Sequence, residues 1–148
     1  MEICTIGTSG IAAERFFRTL SEAQVTSVID TRLHPSSQLA GYAKQDSLRY
    51  FLDKILGVGY YHEPLLTPTD VKLKEYRSKS ISWENYSGEY LAKLKDSKLE
   101  SKLDITKWGA KPVLLCSETT AEFCHRRLAA EYLQKVFPQV NKINHLGN

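Results

Sequence analysis

The sequence predicts an α/β fold: a single domain with a mostly parallel sheet of about five strands and helices on both faces. Three observations lead there. Short apolar runs alternate with stripes at helical spacing along the whole chain. The first apolar run, residues 3–6, feeds directly into Gly7-Thr8-Ser9-Gly10 and then a helical pattern. The segment Val113-Leu114-Leu115-Cys116 is apolar without interruption, as a parallel strand covered on both faces must be.

Taken in order, the first helix carries Ala13, Phe16, Phe17 and Leu20 on one face. The β-branched run 25–29 forms the second strand, ends in Asp30-Thr31-Arg32 and is broken by Pro35-Ser36-Ser37. A second helix is expected over 46–56, with Leu48, Phe51, Leu52 and Ile55 as its stripe and Gly57 as its stop. Residues 58–62 form a third strand that ends before Pro64. Trp83, Tyr86, Tyr90 and Leu94 mark one helix in the segment that follows. Ser97-Lys98-Leu99-Glu100 has the form of a capping box that opens another. Thr119-Thr120-Ala121-Glu122 is a second such box, opening a helix with Leu128, Tyr132 and Val136 that stops before Pro138. Residues 140–145 are expected as the last strand.

The chain has 148 residues and a net charge of +3, and its positive excess sits in one place. Residues 70–111 hold ten Lys/Arg against seven Asp/Glu, whereas the remainder is balanced. This segment reads as a basic, mainly helical insertion within the domain. Interspersed charge of this kind is usually a solvated helical surface; a nucleic-acid footprint is the sharper alternative. No apolar run approaches the roughly 18 residues of a membrane helix, and the first residues lack a secretory pattern. A cytoplasmic protein without membrane contact is therefore expected. The three cysteines, Cys4, Cys116 and Cys124, are too few and odd in number for a disulfide framework.

In parallel sheets ligands bind outside the carboxyl ends of the strands. Those ends collect nearly every residue with chemical potential. Thr8 and Ser9 lie where a helix start can hold an anion, or simply in a capped turn. Asp30 and Arg32 alternate with Thr31 and so point the same way, either as a structural ion pair or as a pocket-mouth anion clamp. Cys116, Glu118, Cys124, His125 and Arg126 combine thiols, a carboxylate, an imidazole and a guanidinium. Cys116 and Cys124 read as nucleophiles or as inert buried thiols. Glu118 reads as a general base or a covalent nucleophile, Asp30 as an acid–base group, His125 as a proton carrier and Arg126 as an anion clamp. Zinc is a third reading, through Cys116, Cys124, His125 and His145, but the eight-residue spacing of the cysteines does not match a structural site. No metal and no cofactor is expected. A cysteine-phosphatase loop is excluded, because the sixth residue after Cys116 is Glu122 and after Cys124 is Ala130. That spacing moves the weight from a thiol nucleophile toward Glu118 and the arginines.

Together these residues resemble the bacterial and archaeal family called domain of unknown function 488. The resemblance rests on Thr5-Ile6-Gly7-Thr8-Ser9, on Asp30-Thr31-Arg32 with Pro35 and Ser37, and on Gly57-Val58-Gly59-Tyr60-Tyr61-His62. It rests further on Leu114-Leu115-Cys116-Ser117-Glu118 with Cys124-His125-Arg126, and on His145-Leu146. Thr31 stands where the family usually has Val, and Leu65-Leu66-Thr67 stands where it often has Leu-Gly-Gly. The resemblance implies an α/β fold and a shared polar pocket, to which Ser37, Tyr60, His62 and His145 would contribute with Thr8, Ser9, Arg32 and Arg126.

The expected function is that of an enzyme acting on an anionic small molecule or on a nucleotide or nucleic-acid component at the strand ends. The alternative is a non-catalytic nucleic-acid-binding module that uses residues 70–111, whose charges are interleaved with Tyr76, Trp83, Tyr86, Tyr90 and Trp108. No oligomeric state follows from the sequence.

Overall fold

A computed structural model describes residues 1–147. Five strands form one sheet: β1 (Glu2–Gly7), β2 (Ser27–Asp30), β3 (Gly59–His62), β4 (Pro112–Cys116) and β5 (Lys142–His145). Their order is β3-β2-β4-β1-β5, and every pairing is parallel. The helices are α1 (Ala13–Glu22), α2 (Gln45–Phe51), α3 (Asp70–Arg77), α4 (Trp83–Asp96), α5 (Leu99–Lys102) and α6 (His125–Val136). A π turn, Leu52–Leu56, prolongs α2 until Gly57 ends it with φ 65°.

The strands alternate between two cores, as period-two side chains require. Cys4, Ile6, Val28, Val113 and Leu115 face Phe16, Phe17, Leu20, Leu48 and Leu52 of α1, α2 and its π turn. Ile3, Ile29 and Leu114 face the other way, onto Tyr90, Leu94, Leu99, Leu128 and Leu133 of α4, α5 and α6. Segment 70–111 thus builds much of one face of the domain. Tyr86, Tyr90 and Trp108 are buried there, so most of the aromatic series that would stack on bases is core.

Neither expected capping box forms. The Ser97 hydroxyl donates to the Leu94 carbonyl, and α5 starts after Lys98, which takes a left-handed φ of 52°. The Thr119 hydroxyl donates to the Ser9 carbonyl at 3.2 Å. Thr119 serves this contact between the two loops, and α6 begins only at His125. The strands over 25–29 and 140–145 are likewise shorter than expected, starting at Ser27 and Lys142.

The topology creates a crevice. From β1 the chain turns through α1 toward β2 on one side of the sheet order; from β4 it turns through α6 toward β5 on the other. β1 and β4 are neighbours, and α1 and α6 pack on opposite faces of the sheet, so the two connections part to opposite faces at one point of the strand edge, where ligands of open α/β sheets bind. Among the described residues no helix is long and apolar enough to cross a membrane.

Candidate functional site

Ladder pairing continues past the strand ends and sets the floor of this crevice. The N–H of Thr8 donates to the Cys116 carbonyl at 3.2 Å, and that of Ser9 to the Ser117 carbonyl at 2.9 Å. The loops after β1 and β4 are thereby zipped side by side. Above them opens a cavity of about 650 Å³. Its wall includes Thr8, Ser9 and Ala12 after β1, Arg32, His34, Ser37 and Gln38 after β2, and Ser117, Glu118, Cys124 and His125 after β4. Tyr76 and Arg77 of α3, Tyr86 of α4 and Phe123 of the loop after β4 complete its lining.

At its base lies a thiol pair. The sulfurs of Cys116 and Cys124 are 2.8 Å apart, both buried and both free. The Arg126 guanidinium donates to Cys116 Sγ at 3.0 Å and to the Glu118 carbonyl at 2.5 Å. The backbone N–H of Glu118 donates to the same sulfur at 3.3 Å. Burial works against a Cys116 thiolate, but the Cys124 hydrogen bond and the Arg126 charge outweigh it and hold this thiol below its ordinary range. Burial and the neighbouring Cys116 push Cys124 well up. Of the two thiols Cys116 is therefore the one that gives up its proton first, with buried Arg126 beside it as counter-ion. Arg126 does not line the cavity; the anion it clamps is the Cys116 sulfur.

His125 has one tautomer available. Its Nε2 lies 3.0 Å from the Thr31 carbonyl and 3.1 Å from the Thr31 hydroxyl, whose own proton goes to the Leu115 carbonyl. Both neighbours accept, so Nε2 carries the hydrogen and Nδ1 presents a lone pair toward Cys124 Sγ, 3.9 Å away. Burial foremost, with the charge of Arg126 beside it, depresses the imidazole to about 4. A depressed folded pKa means that the unfolded chain takes the proton first as pH falls. Stability is then lost from about the ordinary 6.5 downward until the folded value is passed. Between pH 7 and pH 5 this single group costs about 2 kcal/mol. His125→Gln, whose amide can still donate to Thr31, should remove that part of the slope. Urea denaturation of both proteins at the two pH values tests this, and parallel slopes would refute it.

Asp30 and Arg32 form a closed pair. Arg32 Nε donates to Oδ1 at 2.8 Å and Nη2 to Oδ2 at 2.7 Å, while Nη1 donates to the Ala43 carbonyl at 2.7 Å. Tyr60 donates to Asp30 Oδ2 at 2.5 Å, and burial followed by the Asp30 charge pushes the phenol up, so it keeps its proton. His62 Nε2 donates to the Arg32 carbonyl at 2.9 Å. Asp30 is fully enclosed and has no access to the cavity, so the sequence expectation of an acid–base role meets a carboxylate already saturated with donors. Tyr60 and His62 also lie outside the wall and brace this pair. His145 pairs with the Thr5 hydroxyl at 2.7 Å on β5 and likewise does not line the cavity.

The expected residues that do meet in the cavity are Thr8, Ser9, Arg32, Ser37, Glu118, Cys124 and His125, with Cys116 directly behind. His34, Gln38 and Arg77 are additions. Arg77 sits 3.8 Å from the Glu118 carboxylate, with both side chains about half exposed. Their only sequence signal is position: His34 and Gln38 follow a strand end, and Arg77 ends a helix of the basic segment. Among the described residues no group of three or more His, Cys, Asp or Glu side chains is arranged to hold a metal ion.

Fold and site define an α/β protein with a polar pocket at the switch point of a parallel sheet. The family model for "Domain of unknown function DUF488" matches residues 12–133, and the chain belongs to that family. The matched span contains Asp30, Arg32 and the whole run from Cys116 to Arg126, and leaves Thr8, Ser9 and His145 outside. No curated protein and no solved structure matches the chain.

Proposed function

We propose that the protein is an enzyme whose substrate is an anionic small molecule of nucleotide size, bound in the cavity over β1, β2 and β4. The observation that carries this reading is the presence of two helix starts in the lining of one cavity. Ala12 precedes α1 and Cys124 precedes α6; neither side chain caps its helix, and both line the cavity. Each helix start is a partial positive charge with N–H groups to donate. Arg32, Arg77 and His34 stand around the same space. Tyr76 and Phe123 supply apolar surface for the body of such a ligand. The volume falls within the few hundred to about 1,000 Å³ usual for small-molecule sites. The reacting group on the protein side is the thiol pair with His125 beside it, and Glu118 at the mouth supplies a solvent-exposed carboxylate.

Calorimetric titration with inorganic phosphate and with adenosine monophosphate tests the anion site. Both should bind and raise the melting temperature, the nucleotide more strongly. Arg77→Ala should weaken the nucleotide about tenfold, the value of one charge-assisted hydrogen bond. Absence of binding by either anion at millimolar concentration would overturn the proposal.

A further inference from the structure

We propose that Cys116 and Cys124 are a redox pair that exchanges with small disulfides, with Cys124 attacking first and Cys116 resolving. The order follows from access. Cys124 forms part of the cavity wall, whereas Cys116 lies behind it with no exposed surface. Cys124 is itself only 2% exposed, so an entering disulfide reaches its sulfur, the nearer of the two, as the cavity lining gives way. The partner sulfur is already at 2.8 Å, closer than two unbonded sulfurs ordinarily rest, so the second step needs little rearrangement. The donors on Cys116 (Arg126 and the Glu118 N–H) do the work required of a resolving group: they favour its thiolate in a buried place.

The chemistry balances as follows. The Cys124 proton passes to Cys116 across the S···S contact. Cys124 Sγ attacks one sulfur of the incoming disulfide, whose S–S bond breaks and releases a thiolate. That thiolate takes the proton back from Cys116. Cys116 Sγ then attacks Cys124 Sγ, the mixed disulfide breaks, and the second thiolate leaves and is protonated from water. Two protein sulfurs are oxidised and one small disulfide is reduced to two thiols. Arg126 loses its counter-ion when the protein disulfide forms, which favours the reduced pair, so oxidation requires the small disulfide in excess. Cys4 takes no part: it is buried in the core between the sheet and α1, and burial followed by the Glu2 charge pushes it up to about 11.

A preference for a disulfide bearing carboxylates rests on the anion site proposed above; the exchange itself does not. The test therefore uses two probes in large excess on the folded, fully reduced protein: oxidised glutathione, which is anionic, and 2-hydroxyethyl disulfide, which is neutral. Thiol titration after denaturation should show two thiols lost and Cys4 retained. Peptide mapping should find Cys116 joined to Cys124, with the intact mass lowered by two hydrogens. Cys116→Ser should stop with one glutathione on Cys124, and Cys124→Ser should leave Cys116 unmodified. The wild-type product map stands whether or not either variant folds. Three free thiols after treatment with both probes, or a stable mixed disulfide on the wild type, would overturn the redox pair and leave the anion site untouched. Cationic focusing should make oxidised glutathione react at least about tenfold faster than the neutral probe. Equal rates, with the internal disulfide still forming, would remove the preference for an anion and keep the redox pair.

Discussion

Asp30→Ala is expected to destabilise the protein by about 4 kcal/mol, because it leaves a buried guanidinium without its charge partner. Arg32 is 3% exposed, and two of its three hydrogen-bonding nitrogens spend their donors on the Asp30 carboxylate. Without that carboxylate only the Ala43 carbonyl remains, and the backbone N–H of Arg32 loses its acceptor too. Tyr60 loses the oxygen it donates to. Asp30→Asn should fare little better, since an amide nitrogen must then face guanidinium or phenol donors. The diagnostic variant is the double replacement Asp30→Leu with Arg32→Met. Removing both charges should cost markedly less than the sum of the single replacements, because no uncompensated charge stays behind. Urea denaturation reads all of these. A loss below about 1 kcal/mol in Asp30→Asn would mean that water reaches the pair, and the closed geometry would be wrong. The double replacement should also weaken anion binding, since it takes the Arg32 charge out of the cavity wall.

The fold was legible because its signals are local. Alternating Cys4/Ile6 and Ile3, or Val113/Leu115 and Leu114, state which strand residues face which helical layer, and the structure puts them in two separate cores. The strand-end rule then placed Thr8, Ser9, Arg32, Glu118, Cys124 and His125 around one space without any long-range information. What stayed hidden depends on loop shape. The seven residues between Cys116 and Cys124 match no motif spacing, which turns the sequence reading away from the thiols. In the structure the loop folds back and joins the sulfurs at 2.8 Å. The two capping boxes misled for a related reason. A Ser or Thr three residues before a Glu is only a local pattern, and Thr119 found the Ser9 carbonyl, 110 residues away in sequence. Arg126 shows the same limit from the other side. Its charge suggests a ligand clamp, but its burial and its thiol partner come from packing that no spacing encodes.

Gly7 is where fold and chemistry meet most closely, and Gly7→Ala should cost at least about 3 kcal/mol, at the severe end for overpacking. A Cβ built there would stand 1.6 Å from the Glu118 carbonyl oxygen and 2.6 Å from Arg126 Nη1. Neither neighbour can step aside cheaply. Gly7 pairs with Cys116 in the sheet register, and the flanking Thr8 and Ser9 N–H groups are bonded to the Cys116 and Ser117 carbonyls. The Glu118 carbonyl itself accepts from Arg126 at 2.5 Å. A methyl at this point must push the β4 loop off the β1 loop, and the motion would pull Arg126 from Cys116. The variant should therefore lose more than stability. In whatever fraction remains folded, Cys116 should ionise at higher pH than in the wild type, which a pH titration of thiolate absorbance measures directly. Two controls give the comparison its force. Gly10→Ala alters a glycine with φ 71° and open space around it, so it costs backbone strain alone, of order 1 kcal/mol, without touching the thiol. Gly88→Ala lies in α4 with nothing near its Cβ position and should be neutral or slightly stabilising. If Gly7→Ala behaves like Gly10→Ala, the close approach of the two strand-end loops is not what organises the Cys116–Arg126 pair.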